Sequence, residues 1–166
     1  MPRFAAWSAE RARAIIDDYR DTSGALLPAL HALLVEFGHI APEAIPLLAE
    51  ALTLSRADVQ GVITFYHDFR TTPPGRHLVK LCRAEACQSM GSASLEDHAR
   101  HHLAIGWGET TEDGEFTLEP VFCLGNCALS PAVMVDGELY GRVSPERFDA
   151  ILASAGQSTA APEQTP

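Results

Sequence analysis

Cysteine is scarce in this chain of 166 residues: there are four, and all of them lie between residues 82 and 127. They form two pairs, Cys82 with Cys87 and Cys123 with Cys127. Neither pair has the C-x-x-C spacing that is typical of thiol–disulfide oxidoreductases, which argues against that class of enzyme. Because the chain has no other cysteine, only these four residues can bind a metal through a thiolate.

The chain also has few basic residues and no long apolar run. There are 12 Lys and Arg against 22 Asp and Glu, a net charge of −10, and such a surface repels the phosphate backbone of nucleic acids. No apolar run approaches the roughly 18 residues of a membrane-spanning helix, and the first residues lack the apolar segment of a secretion signal. We therefore expect a cytoplasmic protein with no nucleic-acid partner and no membrane contact of its own, and a reducing cytosol suits its free thiols.

Catalytic motifs are missing as well. Gly106-Trp-Gly108 resembles a dinucleotide fingerprint only faintly, because Thr111 stands where a third glycine should open a helix. No nucleophile is evidently paired with a base, and no internal repeat is found. The chemistry that this leaves to the chain is one-electron transfer.

The spacing of the cysteines favours an iron–sulfur cluster, since four thiolates can hold one. C-x₃-C and C-x₄-C lie at or near the upper end of the spacings found in structural zinc sites, and a four-residue gap lets the chain pass around one iron of a longer [2Fe–2S] cluster. In plant-type ferredoxins the third cysteine follows C-x₄-C after two residues, whereas here 35 residues intervene. We predict that one [2Fe–2S] cluster is bound by Cys82, Cys87, Cys123 and Cys127. A zinc-stabilised interaction module and a plain dithiol or disulfide are the alternatives.

Residues beside the cysteines suit such a site. Gly125 lies within the second pair, where the chain must bend and bring its backbone close to inorganic sulfide. Positive charge near a cluster stabilises its more negative reduced form, which makes three basic residues candidates for tuning the redox potential: Arg76, Lys80 and Arg83. Solvated charges at a strand edge are the alternative interpretation.

Apolar stripes at helical spacing predict helices over residues 12–19, 26–37, 42–52 and 59–69. Ser8 is a plausible cap for the first helix, and Ser55 with Asp58 forms a capping-box pair for the fourth. Gly38 is expected to end the second helix, and Pro42 to open the third.

Short strands replace helices after Thr71-Thr-Pro-Pro-Gly75. Strands are predicted over 77–82 and 116–122, a hairpin with an Asp-Gly turn over 132–141, and helices after Ser94 and Ser144. The order strand–helix–strand and then hairpin–helix is that of a thioredoxin-like fold. Each of the two strands ends where a cysteine pair begins, so we expect both pairs to meet at one edge of the sheet.

Three histidines, His98, His101 and His102, share one predicted helix at spacings that can bind a metal. No carboxylate or thiol is evidently directed at them, so we interpret them as a solvated helix face.

The predicted protein is therefore of the α+β class. A helical bundle over residues 1–70 is followed by a thioredoxin-like [2Fe–2S] ferredoxin domain over 76–154. Residues 155–166 are rich in Ser, Gly, Gln, Ala and Pro, which predicts a disordered tail.

These motifs together resemble the complex I 24 kDa subunit family. Its members are small [2Fe–2S] subunits that accompany a flavin-binding, NADH-oxidising subunit in complex I, NAD-reducing hydrogenases and soluble NAD-dependent formate dehydrogenases. The resemblance covers about residues 8–154 and rests on both cysteine pairs together with Glu36-Phe-Gly38, Val62-Ile-Thr-Phe-Tyr66, Pro74-Gly75, Gly108-Glu-Thr-Thr111, Asp113-Gly114 and Pro131. It implies that the first cysteine pair holds one iron and the second pair holds the other.

Within that family, two segments look most like the gamma subunit of a cytosolic NAD-dependent formate dehydrogenase: Phe65-Tyr-His-Asp-Phe-Arg70 and residues 82–91. The resemblance implies a beta partner with FMN, the NAD site and further iron–sulfur clusters, and an alpha partner with a molybdopterin centre that oxidises formate. This chain would then carry electrons beside the flavin and hold no catalytic residue. The equivalent subunit of an NAD-reducing hydrogenase or of complex I is the alternative within the family.

Overall fold

The computed structural model describes residues 4–157. The chain divides into two compact units, one ending at Pro73 and the other beginning at Pro74. Each unit has its own hydrophobic core. The division falls inside the segment of residues 71–75 that the sequence marks as a boundary.

Residues 4–73 form four helices: α1 (Ala9–Asp17), α2 (Leu26–Phe37), α3 (Ala44–Ala51) and α4 (Arg56–Phe65). Their apolar faces pack together, because each amphipathic helix must remove its stripe from water. The largest fully buried side chains of this unit are Ile16, Leu30, Leu33, Phe37, Ile40, Leu48 and Val59.

The helix ends follow the predicted signals closely. Ser8 Oγ accepts a hydrogen bond from the Arg11 amide at 3.3 Å. Ser55 and Asp58 form the reciprocal capping box at the start of α4, and Gly38 ends α2 with a left-handed φ of 73°. Each device satisfies backbone groups that a helix end leaves without partners.

Three helices differ from the prediction at a boundary. α1 ends at Asp17, so Tyr19 lies beyond it. α3 begins at Ala44, two residues after Pro42, and Pro46 lies in its first turn, where a missing N–H breaks no helical hydrogen bond. α4 ends at Phe65, so Tyr66 is not part of a buried helix face, and 43% of its surface is exposed. Phe69 is buried as expected, although it lies beyond the helix.

Residues 74–157 form a four-stranded sheet with helices. The elements in chain order are β1 (His77–Cys82), α5 (Glu85–Ser89), α6 (Ser92–Leu103), β2 (Phe116–Val121), a 3₁₀ turn (Cys127–Leu129), β3 (Val133–Val135), β4 (Glu138–Tyr140) and α7 (Pro145–Gln157). The strand order is β2-β1-β3-β4. β1 is parallel to β2 and antiparallel to β3, and β4 is antiparallel to β3.

The predicted order of elements in this unit is found, with three corrections. α5 was not predicted, and α6 begins at Ser92 after a left-handed Gly91 rather than at a Ser94 cap. α7 runs to Gln157, so the first three residues of the predicted disordered tail are helical; its remaining positions, 158–166, lie outside the described residues. Across residues 4–157, no helix is both long enough and apolar enough to cross a membrane.

Candidate metal centre

Two parallel strands deliver the cysteine pairs to one edge of the sheet. Cys82 is the last residue of β1 and lies in register with Val121, the last residue of β2. The Arg83 amide donates to the Val121 carbonyl at 2.8 Å, and the Cys82 amide donates to the Ala132 carbonyl at 3.1 Å. Because parallel strands end at the same edge, the segments that follow them start side by side, as the sequence predicted.

The two cysteine pairs are connected through one serine. Cys123 Sγ lies 3.7 Å from Cys127 Sγ, and the Cys87 thiol is close enough to Cys82 to raise the pKa of Cys82. Cys87 Sγ donates to Ser130 Oγ at 3.5 Å, and that hydroxyl donates to the Cys127 carbonyl at 2.7 Å. Ser130 therefore connects the two pairs. All four cysteines are free thiols.

The two pairs differ in burial. Cys82 and Cys87 are each only 1% exposed and pack with Ala132 in a small apolar cluster, whereas Cys123 and Cys127 are exposed. Burial raises the pKa of the Cys82 thiol. The hydrogen bond with Cys123 and the charge of that thiolate raise the pKa of Cys127. A metal must therefore displace protons from this site in order to bind.

Backbone amides are directed at the sulfur atoms. The Gly125 N–H donates to Cys123 Sγ at 3.3 Å, at a residue whose φ of 76° favours glycine. Backbone hydrogen bonds from Ala84 and Leu124 reach the Cys82 sulfur and act to lower its pKa, against the larger effect of burial. Hydrogen bonds of this kind stabilise thiolates that hold iron–sulfur clusters.

This donor set fits a cluster held by thiolates. Four thiols come together from two chain segments, and amide groups face the sulfurs. Apolar side chains surround the buried inner pair, Cys82 and Cys87; Cys123 and Cys127 are the outer pair. Cys87 lies on the short helix α5, an element that was not predicted from the sequence.

Two supporting residues were not evident from the sequence. Ser130 has no signal in the sequence, because only the folded chain brings it between Cys87 and Cys127. Gly141 lies directly against the second cysteine segment: a Cβ at this position would come within 2.6 Å of Leu129 Cβ and 2.8 Å of Asn126 Nδ2. A glycine at the end of a predicted hairpin was the only signal in the sequence.

The basic residues proposed to tune the potential are not isolated charges. Arg83 Nε lies 2.9 Å from Glu96 Oε2, and its guanidinium lies 5.2 Å from the ring centre of Trp107. Arg76 pairs with Glu115 at 3.2 Å. Carboxylates therefore offset much of the positive charge of Arg76 and Arg83.

Comparison with known proteins identifies the family. The profile of the thioredoxin-like [2Fe-2S] ferredoxins matches residues 12–156. The chain belongs to this family. Its members carry one [2Fe–2S] cluster, so the predicted fold class and the predicted cofactor are both confirmed at the level of the family.

Individual relatives agree with this assignment. One component of the NADH-quinone oxidoreductase from Pseudomonas aeruginosa is 40% identical over 134 residues, which cover 81% of each chain. Its counterpart from Mycobacterium bovis is 35% identical over 148 residues, covering 89% of this chain but 59% of its own. The structure of an NAD⁺-reducing [NiFe]-hydrogenase in the H₂-reduced state matches with a TM-score of 0.67 and 26% identity, over 81% of this chain and 22% of the hydrogenase chain.

Proposed function

We propose that this chain is a non-catalytic electron-transfer subunit in which Cys82, Cys87, Cys123 and Cys127 hold one [2Fe–2S] cluster. The observation that carries the proposal is the parallel pairing of β1 and β2, which starts both cysteine segments at one edge of the sheet. When bound, such a cluster accepts and releases one electron at a time. The chain's own residues position the sulfurs, direct amides at them and keep the inner pair from water.

We infer that the exposed cysteine pair faces a partner protein. Three large apolar side chains close in sequence to the cysteines are exposed: Phe122 by 72%, Met90 by 63% and Leu129 by 41%. Phe122 directly precedes Cys123, and Leu129 follows Cys127 by two residues. Exposed apolar groups beside a functional site are typical of contact surfaces.

The partner that we propose is a subunit that binds FMN and NAD, in a cytoplasmic complex. The names of the relatives support this, because one belongs to an NADH-quinone oxidoreductase and another is an NAD⁺-reducing hydrogenase. NADH delivers electrons in pairs through hydride transfer. A one-electron carrier beside the flavin could accept these electrons one at a time.

For the complex itself we propose an NAD-dependent formate dehydrogenase, with a further alpha subunit that carries molybdopterin. Residues 65–70 and 82–91 support this choice, since these segments most resemble the gamma subunit of such an enzyme. The relatives described above favour the alternative, the equivalent subunit of an NADH-quinone oxidoreductase or of an NAD-reducing hydrogenase.

Co-purification separates these complexes. The full-length chain, tagged in its native host, should bring down a flavoprotein and a molybdopterin protein, with formate-dependent reduction of NAD⁺. A nickel-containing partner, or a set of membrane subunits, would reject the formate assignment and leave the electron-transfer role intact.

The cluster is tested on the purified chain alone. We expect a brown protein with two irons per chain whose visible absorption bleaches with dithionite. A colourless protein that carries one zinc ion would replace the electron-transfer role with that of a zinc-stabilised interaction module.

A further inference from the structure

A second group of metal-ligating side chains lies between α6 and α7, outside the cysteine site. His98 and His102 are one turn apart on α6, and Asp149 lies on α7. His98 Nε2 is 2.7 Å from Asp149 Oδ1, and His102 Nδ1 is 3.3 Å from the same oxygen. One ligand atom from each of the three residues can be chosen so that all lie within 4.8 Å of one another.

The two imidazole rings are held in place by a buried phenylalanine. They stack on each other with centroids 5.7 Å apart and an interplanar angle of 27°. The ring of Phe148, which is fully buried, meets both of them nearly at right angles, at centroid distances of 6.2 and 6.5 Å. This packing fixes the direction of both nitrogens, so a cation would find the histidines already oriented.

The distances are those of ordinary hydrogen bonds, and they are also close to the separations between ligand atoms around a small divalent cation. Each histidine directs a nitrogen at one carboxylate oxygen, where a proton now makes the contact, and a metal ion can replace such protons. Tetrahedral zinc with bonds of about 2.0 to 2.1 Å places its ligand atoms about 3.3 Å apart. The contact between His102 and Asp149 already has that length, and the contact between His98 and Asp149 needs to lengthen by only about half an ångström.

The site opens to solvent on an acidic side. His102 and Asp149 border an open groove of about 960 Å³ that is also lined by Thr111, Glu112 and Asp113. A hydrogen bond from the Thr111 hydroxyl lowers the pKa of Asp113, which keeps that carboxylate charged. The groove therefore attracts cations and leaves room for water as a further ligand.

We propose that His98, His102 and Asp149 form a three-ligand site for a divalent transition-metal ion, with Zn²⁺ as the best match. Two imidazoles and one carboxylate with an open fourth position are a donor set that zinc accepts, and two histidines one helical turn apart are a common part of it. A bound ion would fasten α6 to α7. His101 is not part of the site, because its ring contacts the Asp97 carbonyl of its own helix.

The test uses full-length protein with its iron–sulfur cluster in place. Zn²⁺ is added in a calorimetric titration while visible absorption confirms that the cluster stays intact. We expect one Zn²⁺ per chain and a higher melting temperature. His102→Gln and Asp149→Asn should each weaken binding at least as much as the roughly 10- to 100-fold loss that follows removal of an outer-shell partner. The matched control His101→Gln should bind as the wild type does.

Three outcomes would overturn the proposal: no binding of Zn²⁺, equal binding by wild type and both variants, or loss of the visible spectrum as Zn²⁺ binds, which would place the ion on the cysteines. Circular dichroism checks that each variant is folded. If Asp149→Asn does not fold, His102→Gln decides alone, because it replaces the residue with the longer of the two contacts to Asp149.

Discussion

Among single residues, the four cysteines have unequal surroundings. Cys82 and Cys87 lie under apolar side chains, while Cys123 and Cys127 are open to solvent. Water and oxidants reach the outer pair first. Replacing an outer cysteine therefore tests the proposed ligand set with less disturbance of the hydrophobic core than replacing an inner one.

Cys127→Ser should abolish the cluster or strongly reduce its occupancy, because a serine oxygen is a much harder ligand than a thiolate. Iron content and the EPR signal of the dithionite-reduced protein measure the effect. Ser89→Ala is the matched control, since Ser89 lies two residues from Cys87 and its hydroxyl donates to the Ala86 carbonyl. A normal reduced EPR signal in Cys127→Ser would contradict the assignment.

The ion pair between Arg83 and Glu96 is expected to act on the redox potential as a unit. Arg83→Gln leaves the buried Glu96 carboxylate without its countercharge. This variant should lower the midpoint redox potential of the cluster, because negative charge disfavours the reduced form. Glu96→Gln should raise the midpoint by exposing the cluster to an unbalanced guanidinium. The double variant should lie between the two, and protein-film voltammetry on all four proteins provides the measurement. Equal midpoints in all four would remove these residues from any tuning role.

The histidine site depends on a contact between two helices that the sequence does not reveal. The spacing of His98 and His102 was visible, but the partner carboxylate is 47 residues beyond the second histidine. Only the packing of α6 against α7 brings Asp149 to them. The expectation that no carboxylate is directed at these two histidines was therefore wrong, because a pattern along one helix carries no information on what a second helix places opposite it.

At the scale of elements, long and strongly patterned segments were predicted well. β1 has the predicted bounds, and α1, α2 and α4 begin where their caps or apolar stripes indicated. α5 was missed because five residues are fewer than two turns and show no periodicity. α6 was predicted to start late because Gly91, with φ of 89°, rather than a hydroxyl side chain, precedes it.

Gly141 offers a test of how the hairpin supports the cysteine segment. Gly141→Ala should displace residues 126–129, because its Cβ would overlap Leu129 and Asn126, and we expect a less stable cluster that bleaches faster in air. Gly61→Ala is the control: nothing lies within 4 Å of a Cβ there. Since glycine inside a helix is less stable than alanine by roughly 0.5 to 1 kcal/mol, the control should stabilise α4 slightly. Equal cluster lifetimes in Gly141→Ala and wild type would show that the contact is unimportant.

For the whole molecule, the division at Pro73 and Pro74 supports our proposal that a helical bundle over residues 1–70 and a ferredoxin domain over 76–154 are separate domains. Within the described residues 4–73, fourteen buried apolar residues form one cluster. We therefore expect this fragment to be helical by itself, with cooperative thermal unfolding measured by circular dichroism. A fragment without helical signal would mean that the bundle depends on the second unit for its stability.

The same division predicts the behaviour of the full chain without its cluster. Chelation of iron should lower the melting temperature of the second unit, since metal binding contributes directly to the stability of the folded state. The helical unit should melt at an unchanged temperature. Differential scanning calorimetry of the chain before and after chelation would measure both transitions.

The in-register pairing of Cys82 with Val121 has a consequence for how such chains can change in length. Residues 83–115 connect the end of β1 to the start of β2. The part of this connection after Cys87 holds no cysteine, so insertions in residues 88–115 need not move a sulfur atom. The two-residue step from Val121 to Cys123 has no such tolerance. One residue added to β2 would turn alternate side chains to the opposite side of the sheet and send the outer thiols away from the inner ones.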